Sequence, residues 1–229
     1  MVEKRKDKSD IHKIIYNRIV NGEYPSGYRL VEADLAKELN VSRTPVRLAI
    51  ERLVSEGLAK HIPNKGAMVR QLSVDDILGL FQIREVNEGL AARLACKNVT
   101  PQDVKNLNQI LDEMDKIDDL HEYYHLCGQI HSYIFNMSKN EFLSDFIHKI
   151  YSITSRYHVA VLCLPGRSIG SKEEHRQMVD AVLSGDENKA ENVMREHIRN
   201  SASFFSDTEI RSSLRALSKI NWQSFELPD

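Results

Sequence analysis

Apolar residues recur along most of this chain at helical spacing. Ile11, Ile14, Ile15 and Ile19 form an i, i+3, i+4 stripe, which predicts a first helix ending at Asn21-Gly22. Tyr24-Pro25-Ser26-Gly27 is turn chemistry. A second helix is predicted from about Glu32, with Leu35, Ala36 and Leu39 on one face, and it stops at Asn40, a residue that tolerates a left-handed conformation. Ser42 suits the N-cap of a third helix and Pro45 its first turn, where a missing N–H does no harm. Val46, Ala49, Ile50 and Leu53 then face inward, until Gly57 ends the helix. Two helices joined by so short a turn make a helix-turn-helix. Leu58–Ile62, the turn Pro63-Asn64-Lys65-Gly66 and Ala67–Arg70 read as a hairpin directly behind it, which is the layout of a wing.

From Ser73 onward the pattern is helical, with spans of about 74–97, 101–118, 120–138, 141–163, 172–184 and 187–206. Ser73 with Asp76, and Thr100-Pro101-x-Asp103, are capped starts. Ser184-Gly185-Asp186 ends one helix and caps the next. The predicted fold is mainly α. A winged helix-turn-helix of three helices and a small β-hairpin occupies 1–72, an all-α bundle of about six helices occupies 73–206, and 207–229 is a polar tail.

Charge changes this picture by separating the two parts. The chain carries a net charge of −2, but residues 1–72 hold 14 basic against 9 acidic side chains, and the remainder hold 17 against 24. A head at +5 joined to a body at −7 suggests that only the head meets a polyanion. No apolar run approaches the roughly 20 residues of a membrane span, and the charged first ten residues are no secretory signal. Cys96, Cys127 and Cys163 lie far apart, which fits a reduced, cytoplasmic protein with no membrane partner.

The third helix displays Arg43 and Arg47 four residues apart on one face. The N-terminal part of a recognition helix reaches base edges, and arginine there pairs bidentately with guanine. Ser42 and Thr44 are suited to phosphates, Lys65 to neutralising the backbone and Gly66 to close approach at the wing tip. A solvated helix face would also carry Arg43, Arg47 and Arg52. The helix-turn-helix-hairpin order and the basic head together favour duplex DNA.

The body has an unusual placement of histidines. His175 shares a stripe with Met178, Val179 and Val182, His197 with Ala190, Val193 and Met194, and His131 with Cys127, Ile130 and Ile134. Three helices thus aim an imidazole inward, with Cys127 one turn before His131. A single inward histidine is more often a hydrogen-bonded core residue. Three together need partners, and one divalent metal supplies a partner to all of them.

The run from Gly22 to Ser73 resembles the GntR-type winged helix. The matching pieces are Gly22-Glu23-Tyr24-Pro25-Ser26-Gly27-Tyr28-Arg29-Leu30, Leu35–Arg47 with its Val41-Ser42-Arg43-Thr44-Pro45 core, Leu53-x-x-Glu56-Gly57-Leu58, and Pro63–Val69. The resemblance implies operator contacts from Ser42, Arg43, Thr44, Arg47 and Gly66. Ala33 stands where some members place an arginine. Ser73 to Phe205 resembles the FCD sensor domain, of the FadR type and VanR-like, through Ile83-Arg84-x-x-x-Glu88, Ile130-His131, Leu164-Pro165-Gly166-Arg167, Glu174-His175 and Met194-x-x-His197. That resemblance implies a metal held by His131, His175 and His197, with Cys127 at the position of the family's aspartate ligand. A thiolate there favours zinc, and loss of that ligand is the alternative.

Together these features predict a homodimeric transcriptional regulator, acting as a repressor, whose affinity for double-stranded operator DNA changes when a small carboxylate or sugar-acid effector enters the His-lined pocket. Arg84 is the candidate anchor for the effector carboxylate, and an intrahelical pair with Glu88 is the alternative role for that side chain. A regulator that senses the metal itself, and a metal-dependent hydrolase with a basic accessory domain, remain as alternatives. Glu174 and Glu196 neighbour the histidines in sequence, but the helical pattern puts them on other faces, leaving no general base in register.

Overall fold

The computed structural model describes residues 8–20, 22–63, 66–162 and 167–206. Lys65, Cys163, Pro165-Gly166 and the tail 207–229 fall outside the described residues. Internal contacts divide the chain into two compact units that meet in sequence between Leu72 and Ser73.

The head contains α1 (Lys8–Val20), β1 (Arg29–Leu30), α2 (Glu32–Glu38), α3 (Arg43–Ser55), β2 (Ala59–Ile62) and β3 (Gly66–Val69). Its core is apolar throughout. Ile11, Ile15 and Ile19 from α1 pack with Leu35 from α2, Val46, Ile50 and Leu53 from α3, and Leu30 and Val69 from the sheet. Asn40, at φ 54°, makes the left-handed stop between α2 and α3, and Gly57, at φ 82°, ends α3. The side chains of Arg18, Tyr24 and Glu38 bond to one another and tie α1 and its turn to α2.

The hairpin pattern predicted two strands, and the described residues form three. The sheet order is β1-β3-β2, all antiparallel, with Arg29 opposite Met68 and Ala59 opposite Val69. Two residues are too short a run to carry an alternating pattern, so β1 is defined by its partner rather than by its own sequence. Ser42 occupies the α3 N-cap in extended conformation as expected, but its side chain makes no capping hydrogen bond.

The body comprises α4 (Val74–Ala95), α5 (Pro101–Lys116), α6 (Leu120–Met137), α7 (Glu141–Leu162), α8 (Arg167–Leu183) and α9 (Glu187–Ser203), with short 3-10 turns at Cys96–Asn98 and Phe204–Ser206. Capping boxes start α4 at Ser73/Asp76 and α5 at Thr100/Asp103, and Asp186 accepts from the Lys189 N–H at the start of α9. Helix α8 begins five residues earlier than its apolar stripe predicted. Helix α4 is central, packed along α9 and against α6 and α7. Its inward row runs Ile77, Phe81, Arg84, Glu88, Ala91 and Ala95, so an ion pair sits within an otherwise apolar stripe. Among the described residues no helix is long and apolar enough to cross a membrane.

Candidate functional site

Helices α6, α8 and α9 bring His131, His175 and His197 together in the interior of the body. All three are buried, and one ligand atom from each lies within 4.8 Å of the others. The ring centroids are 5.3 Å (131 to 175), 5.2 Å (131 to 197) and 4.6 Å (175 to 197) apart.

Each ring is oriented through its Nδ1. His131 Nδ1 is 2.9 Å from Glu88 Oε2, His197 Nδ1 is 2.8 Å from Glu174 Oε2, and His175 Nδ1 is 2.7 Å from the Ser171 carbonyl oxygen. A carbonyl oxygen or a carboxylate can only accept, so each Nδ1 carries a hydrogen, and in the neutral ring that tautomer leaves the Nε2 lone pair available to a ligand. The Nε2 atoms of His131 and His197 face each other at 3.3 Å. Either a proton on one of the two or a shared metal ion satisfies that contact. Carboxylate or carbonyl behind imidazole is the arrangement that fixes tautomer and ring direction in metal-binding histidines.

Glu88 links this cluster to Arg84. Its Oε1 accepts from Arg84 Nε at 2.5 Å while its Oε2 holds His131. Both members of the pair are fully buried. Burial by itself pushes the Glu88 carboxyl up. The Arg84 charge and the His131 hydrogen bond outweigh it and hold the group well below the usual carboxylate range. The Arg84 guanidinium lies over the rings of Phe81, at 5.0 Å, and Tyr151, at 4.9 Å. Arg84 therefore makes the intrahelical pair that was its alternative role.

Cys127 is buried on α6, one turn from His131, but it does not join the group of mutually close ligand atoms. Glu174 departs from expectation in the other direction. It lies off the His175 stripe on α8 yet reaches His197 on α9 and also accepts from Asn200 at 3.1 Å. Its face was correctly assigned within its own helix, but the neighbouring helix comes to meet it. Glu88, Glu174 and Ser171 were the residues missed. Glu88 was legible, because it falls on the same inward row of α4 as Phe81 and Ala91.

On the head, Ser42, Arg43, Thr44 and Arg47 are all exposed at the start of α3. Gly66 opens β3 at φ 77°, and among the described residues nothing lies within 4 Å of a would-be Cβ. Arg47 is the most constrained of these side chains, with both Nε and Nη2 paired to Glu32 at 2.9 Å.

Comparison with known proteins covers both units. Residues 8–69 match the model of the bacterial regulatory proteins of the gntR family, and residues 79–200 match the FCD domain. The chain is 33% identical over 143 residues to the Nta operon transcriptional regulator of Aminobacter aminovorans, covering 62% of this chain and 67% of that protein. It is 27% identical over 195 residues to the "Probable D-xylose utilization operon transcriptional repressor" of Paenarthrobacter nicotinovorans, covering 83% and 84% respectively. Among solved structures, McbR/YncC of E. coli superposes with a TM-score of 0.73 at 21% identity, over 90% of this chain and 98% of that one, a likeness of fold.

Proposed function

This chain belongs to the gntR family of bacterial transcriptional regulators and carries an FCD domain, and from that premise we propose that it is a metal-containing repressor whose operator affinity is set by a small carboxylate-type effector. Its relatives and fold neighbours are regulators rather than enzymes, so the hydrolase alternative is set aside.

One observation carries the metal assignment: three buried imidazoles tied through Nδ1, with one ligand atom from each within 4.8 Å of the others and the Nε2 atoms of His131 and His197 facing each other. Zinc–nitrogen bonds of about 2.0–2.1 Å at a tetrahedral angle put neighbouring ligand nitrogens ~3.3 Å apart. The His131–His197 separation of 3.3 Å fits that spacing. His131, His175 and His197 would hold the ion, with Glu88, Glu174 and Ser171 fixing the rings behind it. Three neutral ligands leave the ion its full positive charge and an open position, which is what a carboxylate effector needs. Arg84 is the weaker anchor, because Glu88 already offsets its charge. Cys127 enters as a neighbour of the site, not as its fourth ligand.

Ser42, Arg43, Thr44, Arg47, Lys65 and Gly66 form the operator-contacting set, with α3 in the major groove and the wing along the backbone. A homodimer gives two such heads to a two-fold symmetric site. Ile83, Val86 and Leu90 support it: they make an exposed apolar row on α4 that a second copy would cover. The deciding experiment is elemental analysis of the purified protein paired with operator titration, with and without chelator. About one zinc per chain, lost in His175→Ala, is the expected result. Metal-free protein that still responds to an organic effector would overturn the metal-dependent reading. If added metal alone moves operator affinity, the ion itself is the signal.

A further inference from the structure

The side chain best placed to read a base is held by a partner that the family resemblance did not single out. Arg47 leaves α3 on its exposed side, and Glu32 is the first residue of α2. Their pair therefore bridges the two helices of the helix-turn-helix. Arg47 Nε donates to Glu32 Oε1, and Nη2 donates to Oε2, both at 2.9 Å. That bidentate contact occupies one edge of the planar guanidinium. What remains is the end edge, with one hydrogen of Nη1 beside the outer hydrogen of Nη2, and the second Nη1 hydrogen on the far side. Among the described residues Arg47 makes no other hydrogen bond. Two donors side by side in a plane are the complement of guanine O6 and N7.

We infer that Glu32 is a positioning residue for base readout, locking the Arg47 guanidinium so that its outer edge meets a guanine. The inference rests on the proposed entry of α3 into the major groove. Without the carboxylate, arginine's long side chain would have to be ordered at the moment of binding. With it, the fork is already set. The Arg47 hydrogen bonds also hold the Glu32 carboxyl below its ordinary range, with Arg43 contributing, so the acceptor stays ionised. An exposed ion pair of this kind adds little to folding stability, which leaves recognition as the property it can affect.

The test uses the full-length protein and selection of bound duplexes from a randomised library, run with wild type, Glu32→Gln and Arg47→Ala. The wild type should select a guanine in each half-site whose preference Arg47→Ala abolishes. Glu32→Gln should relax that same base pair and no other, and weaken binding to the wild-type consensus by about tenfold. Its low-salt affinity for random duplex should hold or rise, since one negative charge near the phosphates is gone. The opposite signs identify positioning. Glu32→Gln that binds the consensus equally or more tightly, with guanine preference intact, would show that Glu32 only masks Arg47, and would overturn the inference. Equal losses on consensus and random duplex, with a lower melting temperature, would make the pair merely structural and overturn it as well. Arg47→Ala that keeps the whole consensus would sink the groove assignment itself, a failure visible without reference to Glu32.

Discussion

The head and the body each contain an Arg-x-x-x-Glu pair one helical turn apart, and they treat it in opposite ways. Arg52 on α3 and Glu56 at its C-cap pair at 2.9 Å, with the arginine 62% exposed and the half-buried glutamate also bonded to His12. Arg84 and Glu88 on α4 pair at 2.5 Å with both side chains at 1% exposure or less. The first is a surface contact worth roughly 0–1 kcal/mol. The second is an ion pair taken out of water, tolerable only because Glu88 also satisfies His131 and Arg84 lies against two aromatic rings. The head keeps its interior apolar and spends its charge outward, where a polyanion can meet it. The body places charge and imidazole inside, where the low dielectric makes a small ligand or ion count for most.

The largest expected effect tests that contrast directly. Glu88→Ala leaves a buried guanidinium without its carboxylate and should cost about 3–5 kcal/mol of body stability. Arg52→Ala should cost less than about 1 kcal/mol. Chemical denaturation of the two variants measures both, and equal losses would erase the distinction. Next in size, Arg47→Ala should lower specific operator affinity by about 1–3 kcal/mol per half-site while the melting curve is unchanged. Unaltered footprinting by this variant would refute α3 as the reading helix. If the proposed metal is bound, a chelator should lower the body's unfolding midpoint by several degrees, on the order of 3 kcal/mol for an ion at a free concentration a hundredfold above its dissociation constant. A midpoint that does not move would argue against an ion bound by the folded state.

Acid should act on the body by the same route. The Glu88 carboxyl is depressed in the folded protein, so its contribution is fully present above the ordinary carboxylate value of about 4.5 and fades as pH falls through its lower folded value. Body stability should therefore be insensitive to this group from neutrality down to about pH 5, and decline below the ordinary value. Glu88→Gln, followed by a pH series of unfolding midpoints, should flatten that decline. The smallest contrast concerns caps. Thr100→Ala breaks a capping box and should cost about 1 kcal/mol. Ser42→Ala should cost little, because the Ser42 side chain makes no cap bond, and its effect should appear in operator binding instead.

The sequence by itself determined the elements and their faces. A 3.6-residue period says which side of a helix is apolar, so His131, His175 and His197 were legible as inward, and Ser73, Thr100 and Asp186 as caps. Arg84 and Glu88 fall on the inward row of α4 as well, but charged residues read as surface until packing shows otherwise. Only the tertiary structure decided how deep each face lies and what meets it. It put Arg84–Glu88 in the core and left Arg52 exposed beside a half-buried Glu56, carried Glu174 across to His197, left Cys127 outside the imidazole cluster, joined Glu32 to Arg47, and made a strand of Arg29–Leu30. The reason is geometric. Periodicity is a property of one segment, whereas burial, partnering and strand pairing are relations between segments far apart in the chain.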